Sequence, residues 1–280
     1  MNPLTIFASR FVAGERPQDA VRAGERLQAK GIKATFDKLG EDVLDRDAAA
    51  RATLASCELL RLIPQGVERN ISIKMSSMGQ EISRELCLEN VSKILAVARE
   101  VSGFVRLDME GSKLTESTLS IFQELRKSHE NVGIVLQAAL HRTRDDVKEA
   151  IRRKDRVRLC KGAYREPESI ALQDMAKIRE AYMASAHELL EKGSFPAIAT
   201  HDEALIADTI AFTRASKIPA SRFEFQMLYG LRKRRWSELV AEGFGVRIYV
   251  PFGTHWIPYF YRRLRERREN VLFVLRGLFR

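Results

Sequence analysis

The chain has 280 residues, of which 45% are hydrophobic, so it can bury a substantial core in one large domain or two small ones. Its formal net charge is +10, but acidic residues are interleaved with the basic ones along the whole chain. This mixing, and the lack of zinc-ligand spacing or of an RNA-binding signature, argue against a nucleic-acid partner.

The cysteine content and the chain ends bear on the cellular compartment. Cys57, Cys87 and Cys160 are far apart and form no CxxC pair, so we expect ordinary buried thiols in a reducing cytosol. No basic region followed by an apolar run opens the sequence, and no stretch reaches the apolar length of a membrane span. We therefore expect a cytoplasmic protein, and the positive charge leaves open a peripheral contact with the inner face of the cytoplasmic membrane.

Eight segments rich in apolar and β-branched residues recur along the chain, each followed by a segment of helical periodicity. The predicted strands span residues 32–40, 71–76, 103–110, 132–138, 156–162, 195–202, 223–228 and 246–253. Strict strand–helix alternation predicts a parallel sheet covered by helices. Eight such units in about 250 residues favour a closed (β/α)8 barrel of the TIM type over an open sheet. We expect one domain over residues 1–280, with a short N-terminal extension.

The alternative fold is a doubly wound nucleotide-binding sheet. No GxGxxG stretch follows a predicted strand, and no phosphate-binding GxxxxGK[ST] stretch is present. The barrel is therefore preferred.

Polar side chains fall in or just after the later half of most predicted strands, where barrel enzymes build their active sites. They are Lys74, Asp108, Gln137, Lys161, His201, Gln226 and Tyr249. Arg158, Glu110 and Asp202 add to them, as does the arginine pair of "YFYRRLRE", Arg262 and Arg263. Together they indicate an anion-binding pocket with one or two carboxylates. The histidines show no metal-ligand spacing and no side chain is suited to redox work, so an oxidation would need a bound organic cofactor.

An ordered set of stretches from Phe11 to the C-terminus resembles the proline dehydrogenase family. The chain is most similar to its single-function bacterial form, and also to the corresponding domain of bifunctional proline utilization A. The stretches are "RFVAGE", "ATFDKLGE", "ISIKMS", "RLDMEGS", "RLCKGAYREPE", "ATHD", "FEFQMLYG" and "RIYVPFG" with "YFYRRLRERREN". The resemblance implies FAD-dependent oxidation of L-proline to Δ1-pyrroline-5-carboxylate by hydride transfer. It also implies a non-covalent FAD over the barrel mouth and a quinone as electron acceptor.

The resemblance also assigns roles to residues. Asp108 corresponds to the active-site aspartate of the family, and Arg158 would lie near the reactive edge of the flavin. The substrate carboxylate would bind Lys74, Arg262 and Arg263, and the walls around its ring would be Tyr164, Leu228, Tyr249 and Tyr259. The cofactor would be held by Met109, Gln137, Arg158, Lys161, Gly162, Ala163, Thr200, His201 and Glu266. These roles suit the chemistry, because guanidinium groups clamp carboxylates and positive charge favours reduction of a flavin.

Alternatives stay open for several of these residues. Asp108 could serve only as an ion-pair partner of Arg158 or Lys74, His201 could be a core histidine, and Tyr249 or Tyr259 could be packing residues. Where the family carries a gating glutamate, Asp47 is the nearest acidic candidate, and the short segment before "RFVAGE" leaves the cover of the cofactor open. A non-catalytic amino-acid-binding barrel that has lost flavin is the main functional alternative. A barrel enzyme acting on phosphorylated substrates is another.

Overall fold

Eight parallel strands form a closed barrel in the computed structural model, which describes residues 10–40, 43 and 45–256. The strands are β1 Lys33–Lys38, β2 Asn70–Lys74, β3 Phe104–Asp108, β4 Val132–Gln137, β5 Val157–Cys160, β6 Ala197–Ala199, β7 Glu224–Leu228 and β8 Val246–Phe252. Each strand pairs with the next one, and β1 pairs with β8 over its whole length, which closes the sheet. The predicted (β/α)8 barrel is confirmed.

Helices alternate with these strands in the described part of the chain. They are α1 Pro17–Gln28, α2 Arg46–Leu62, α3 Arg84–Glu100, α4 Ser112–Arg126, α5 Thr143–Arg152, α6 Met175–Lys192, α7 Glu203–Ala215 and α8 Lys233–Ala241. Helix α1 precedes β1, and the other seven follow β1 to β7 in turn. The helical segment predicted after β8 lies outside the described residues. Among the helices that are described, none combines the length and the apolarity that crossing a membrane requires.

Side-chain caps fix where several helices begin. The Asp45 carboxylate accepts hydrogen bonds from the backbone N–H groups of Asp47 and Ala48, and so starts α2. Asp202 caps α7 in the same way, by accepting from the N–H of Ala204. Such caps satisfy N–H groups that have no partner within the helix. Because α7 begins directly behind β6, its cap also places the Asp202 carboxylate at the C-terminal end of the barrel.

The sixth strand is much shorter than the predicted segment 195–202. Pro196 precedes the strand and has no N–H for the sheet ladder, and Phe195 has a positive φ of 49°. Beyond the strand, the hydroxyl of Thr200 accepts a hydrogen bond from the N–H of Asp202, which turns the chain towards α7. Backbone hydrogen bonds to β7 still flank the short strand, from Glu224 to Pro196 and from Thr200 to Gln226.

The layer between the strands and the helices is apolar. Alternate strand residues, among them Phe36, Val105 and Leu159, are fully buried and belong to one continuous core with residues of the helices. Successive strand residues point to opposite faces of a sheet, so the residues between them face the barrel interior. The helices thus pack on the outside of a hydrophobic shell.

The barrel interior is polar, although branched aliphatic side chains are usual there. Arg158 on β5 donates hydrogen bonds to the side chains of Ser72 on β2 and Gln226 on β7. Neither strand is a neighbour of β5 in the sheet, so these bonds cross the interior. Four ionisable residues towards the N-terminal ends of the strands form what we term the floor cluster: Glu68, Arg106, Glu224 and Arg247.

A glycine makes room for one of these buried arginines. The Nη1 of Arg106 donates hydrogen bonds to the carbonyl groups of Ile134 (3.3 Å) and Arg156 (2.5 Å). A Cβ atom placed on Gly133 would lie 2.5 Å from this Nη1 and 2.7 Å from the Arg156 carbonyl oxygen. A larger residue at this position of β4 would therefore displace the Arg106 guanidinium or the adjacent strand.

Candidate active site

The C-terminal ends of the strands surround a cavity of about 740 Å³. This volume lies in the range of small-molecule and cofactor sites. Twelve of the residues predicted from the sequence as site residues line the cavity: Lys74, Asp108, Met109, Arg158, Lys161, Gly162, Ala163, Tyr164, Thr200, His201, Leu228 and Tyr249. Of the other five predicted residues, Gln137 is within the described part of the chain, and Tyr259, Arg262, Arg263 and Glu266 lie outside it.

Gln137 lies beside this cavity rather than in its wall. Its amide Nε2 donates to the carbonyl of Glu110 (3.0 Å), and its Oε1 accepts from the N–H of Ala163 at 3.4 Å. Gln137 thereby ties the end of β4 to the segments that follow β3 and β5. In the structure it shapes the loop that carries Gly162 and Ala163.

Asp108 is the centre of a polar cluster in the cavity. One carboxylate oxygen accepts a hydrogen bond from Nη1 of Arg158 (2.7 Å), and the other accepts from the Tyr249 hydroxyl (2.6 Å). The Cζ of Arg158 also lies 5.3 Å from the centroid of the Tyr249 ring. Asp108 is therefore held by side chains from two other strands, and Tyr249 is part of this polar cluster rather than a packing residue alone.

The environment of Tyr249 keeps its hydroxyl protonated. Burial raises the pKa of the Tyr249 phenol well above its ordinary value, and the negative charges of Asp108 and Asp37 raise it further. Burial and nearby anions both disfavour the phenolate. Tyr249 accordingly acts as a hydrogen-bond donor to Asp108 over the physiological pH range.

Lys74 is paired with an aspartate that the sequence reasoning missed. The ammonium group of Lys74 lies 2.8 Å from Oδ1 of Asp37, and both side chains are buried. Asp37 is the last inward-facing residue of β1, and it lines the cavity. Its place in the later half of a predicted strand, within "ATFDKLGE", is the signal that could have identified it. We call Asp37, Lys74, Asp108, Arg158 and Tyr249 the mouth cluster.

A second group of charges surrounds Asp202 on another side of the cavity. Its Oδ2 lies 2.5 Å from Nζ of Lys161 and 2.7 Å from Nε of Arg179. Burial alone would raise the pKa of Asp202, but the hydrogen bonds from Lys161 and Arg179 outweigh it and lower the pKa to about 2. Asp202 is therefore ionised and orients two cations beside the cavity.

His201 and Glu110 also line the cavity, and both have structural partners. The N–H of Leu228 donates to Nε2 of His201 at 2.9 Å, so that this ring nitrogen is an acceptor. The carboxylate of Glu110 accepts hydrogen bonds from both the N–H and the hydroxyl of Ser76 (3.1 and 2.6 Å). Glu110, which the sequence suggested as one of the pocket carboxylates, thus joins the segments that follow β2 and β3.

One cysteine departs from the expectation of ordinary buried thiols. Cys57 and Cys87 are buried, but Cys160 is half-buried and lines the cavity. It ends β5 on the same inward face as Arg158, where the strand opens into the mouth of the barrel. Burial raises the pKa of Cys87 to about 12, so that thiol is inert in its ordinary protonated form.

The donor set suits a planar anionic or electron-accepting group. Arg158 has five N–H bonds, and three are used by Asp108, Ser72 and Gln226, so two N–H bonds of the terminal nitrogens have no partner among the described residues. Gly162 has φ of +119°, and a Cβ there would lie 3.4 Å from Oε1 of Gln137, so this loop passes close to β4. The two remaining N–H bonds of Arg158, a cavity of this volume and a tight glycine loop fit a flavin cofactor.

Comparisons with known proteins identify the family of the chain. The sequence model of the family described as "Proline dehydrogenase" matches residues 20–276. The chain is 38% identical over 272 residues to proline dehydrogenase 1 of Bacillus subtilis subsp. natto, covering 97% of this chain and 90% of that protein. It is also 38% identical over 280 residues to proline dehydrogenase of Deinococcus radiodurans, covering 97% and 89%.

A solved structure shares the fold. The crystal structure of proline utilization A from Bdellovibrio bacteriovorus inactivated by N-propargylglycine superposes with a TM-score of 0.85 at 26% identity. The match covers 92% of this chain and 32% of that longer one.

Proposed function

The chain belongs to the proline dehydrogenase family, which supports proline dehydrogenase activity in proline catabolism, and we propose how it performs that reaction. It oxidises L-proline to Δ1-pyrroline-5-carboxylate with FAD as cofactor and a quinone as final electron acceptor. The observation that carries this proposal is the Asp108–Arg158–Tyr249 cluster, which lines one cavity together with Lys74.

The charge of the mouth cluster suits a zwitterionic amino acid. Two cations, Lys74 and Arg158, face two carboxylates, Asp37 and Asp108, so that the cluster is balanced before substrate enters. A molecule with one ammonium and one carboxylate group adds no net charge to this site, and each of its charged groups can face an opposite charge, which offsets the cost of desolvation. Lys74 is proposed to bind the substrate carboxylate together with Arg262 and Arg263.

The apolar part of the cavity is proposed to enclose the pyrrolidine ring. Leu228 and the ring of Tyr249 line the same cavity as the charged groups, and Tyr164 lies at its exposed edge. With Tyr259 they would exclude water and hold the ring in one orientation, and orientation is a large part of what such a transfer requires of a protein.

FAD, when bound, supplies the acceptor for the hydride that leaves the substrate. We propose that Met109, Gln137, Lys161, Gly162, Ala163, Thr200, His201 and Glu266 hold it without a covalent bond. The remaining N–H groups of Arg158 would donate hydrogen bonds to its reactive edge, and positive charge there favours the reduced form. We also propose that residues 1–280 form a single domain. The protein is proposed to be cytoplasmic and to make a peripheral contact with the membrane.

The visible spectrum of the purified protein tests this function. We expect a yellow protein whose flavin absorption bleaches on addition of L-proline under anaerobic conditions and returns on addition of a quinone. Acid precipitation should release all of the colour into the supernatant. Pyrrolidine lacks the carboxylate and should bleach the protein far more slowly. A protein that stays colourless after incubation with FAD would instead support the non-catalytic amino-acid-binding barrel.

A further inference from the structure

Three strands fix the orientation of Arg158. Its Nη1 donates to Asp108 on β3 (2.7 Å), its Nη2 to Ser72 on β2 (3.0 Å) and its Nε to Oε1 of Gln226 on β7 (2.5 Å). The acceptors lie on three sides of a planar group, so the guanidinium cannot rotate without losing at least one bond. The direction of its two remaining N–H bonds is thereby set.

The bond to Nε depends on which way the Gln226 amide faces. The amide Nε2 donates to Oε1 of Glu224 at 2.6 Å, and Glu224 lies two residues earlier on the same inward face of β7. An ionised carboxylate can only accept hydrogen bonds, so it must face the NH₂ end of the amide. The oxygen end is then left for Arg158, and a flipped amide would place two donors against each other.

Glu224 is itself fixed in the ionised state. Arg247 donates to both of its carboxylate oxygens (2.7 and 3.1 Å) and also to the carbonyl of Ala34 and to Glu68. Burial alone would raise the pKa of Glu224, but the charge and hydrogen bonds of Arg247 outweigh it and lower the pKa to about 2. The floor cluster therefore holds a permanent acceptor beneath Gln226.

We infer that Gln226 is a positioning residue. The floor cluster fixes the orientation of the Gln226 amide, and the amide in turn fixes the orientation of Arg158, whose remaining N–H bonds then point into the cavity. Gln226 does this through Arg158 and is not required to touch the substrate. The catalytic consequence rests on the proposed function, in which Arg158 acts beside the flavin, whereas the orientation of Arg158 can be tested on its own.

Three variants separate this role from packing. Gln226→Met keeps the length of the side chain but removes the acceptor. Gln226→Glu is held in its protonated form by the ionised Glu224 carboxylate beside it, so it keeps both an acceptor oxygen for Arg158 and a donor for Glu224. Gln80→Met is the matched control, because Gln80 is also buried and hydrogen-bonded, to Ser117 and Thr118, and does not line the cavity. Urea denaturation of both methionine variants measures their stability, so that a change in the site can be separated from a general loss of stability.

The first readout is the Arg158 Nε–H signal in holoenzyme labelled with ¹⁵N-arginine, identified by its loss in Arg158→Lys. We expect its hydrogen exchange to accelerate about tenfold or more in Gln226→Met, since one charged hydrogen bond is lost. Gln226→Glu and Gln80→Met should retain the native protection. Equal exchange in native protein and Gln226→Met would overturn the inference, as would equal acceleration in Gln226→Met and Gln226→Glu.

The second readout is steady-state proline oxidation. We expect kcat to fall about tenfold or more in Gln226→Met with a smaller change in KM, because a small displacement of a reacting group is costly. A changed Nε–H signal with native kcat would overturn the positioning role. If the native protein itself does not oxidise proline, the proposed function fails, while the Nε–H measurement still decides whether Gln226 orients Arg158.

Discussion

The mouth cluster and the floor cluster use the same kinds of residue for different purposes. In the floor cluster, Arg247 makes four hydrogen bonds to protein acceptors, and both it and Glu224 are almost completely buried. In the mouth cluster, Arg158 keeps two N–H bonds without a described partner and borders a cavity. A buried ion pair that satisfies itself is structural, whereas one that retains donors towards a cavity can act on a ligand.

The largest effect should come from breaking the floor cluster. Arg247→Met leaves the Glu224 carboxylate buried without its main partner, and losing one member of a buried pair costs about 3–5 kcal/mol of unfolding free energy. Urea denaturation measures this loss. The control is Lys33→Met, which removes the more exposed partner of Glu68 at 3.1 Å and should cost less than about 1 kcal/mol. Similar values for the two variants would contradict the structural role of the floor.

Breaking the mouth cluster should affect activity instead. Asp108→Asn keeps one oxygen for Arg158 but removes the negative charge and the second acceptor. We expect kcat/KM for proline to fall about 100-fold, equivalent to about 3 kcal/mol, with a much smaller change in stability. Asp208→Asn is a suitable control, because Asp208 pairs with His187 away from the cavity. A kcat/KM within twofold of the native value would remove Asp108 from the active site.

These two clusters also show what the sequence could predict. The strands follow from recurring apolar segments, and Lys74, Asp108 and Tyr249 could be placed at one end because they come late in their strands. Asp37 and Glu224 were missed, because the sequence does not indicate which residue a single carboxylate in an apolar strand would pair with. The missed signal is the alternation in "VRIYV" and "FEFQML". Parallel strands covered on both faces usually read as continuous apolar runs, so alternating polar residues indicate a polar barrel interior.

The sequence could name candidate partners but could not choose between them. It offered Arg158 or Lys74 as the partner of Asp108, and the structure pairs Asp108 with Arg158 at 2.7 Å and Lys74 with Asp37 at 2.8 Å. Such pairing depends on the stagger of the strands around the barrel, and a shift of one residue moves a side chain to the other face. Residue type and order therefore predict the composition of the site but not its hydrogen bonds.

Acid should reduce the stability that the floor cluster contributes at pH values at which Glu224 is still ionised in the folded protein. The pKa of Glu224 is lowered from 4.5 to about 2, so the unfolded chain binds more protons between these two values. The stability from this group is complete above pH 4.5 and is lost as pH falls towards 2, with a slope of up to about 1.4 kcal/mol per pH unit.

Urea denaturation at several pH values between 3 and 5 measures this slope. Glu224→Gln removes the titrating carboxylate. The slope of its unfolding free energy against pH should therefore be smaller, by up to the equivalent of one bound proton. Asp202→Asn should also flatten the curve, but by less, because Asp202 is nearer to solvent. An unchanged slope in Glu224→Gln would show that folding does not lower the pKa of the floor carboxylate.

The smallest expected effect separates the two hydrogen bonds to Asp108. Tyr249→Phe keeps the aromatic ring beside Arg158 but removes the hydroxyl that donates to Asp108 at 2.6 Å. The loss of one hydrogen bond of about 1 kcal/mol should lower kcat/KM about fivefold.

In the Asp108→Asn background the amide can present only one oxygen, which Arg158 already occupies, so Tyr249→Phe should then cost little more. Measuring kcat/KM for both single variants and the double variant gives the coupling between the two residues. Additive losses would mean that Tyr249 acts on the substrate ring alone and that its bond to Asp108 has no part in catalysis.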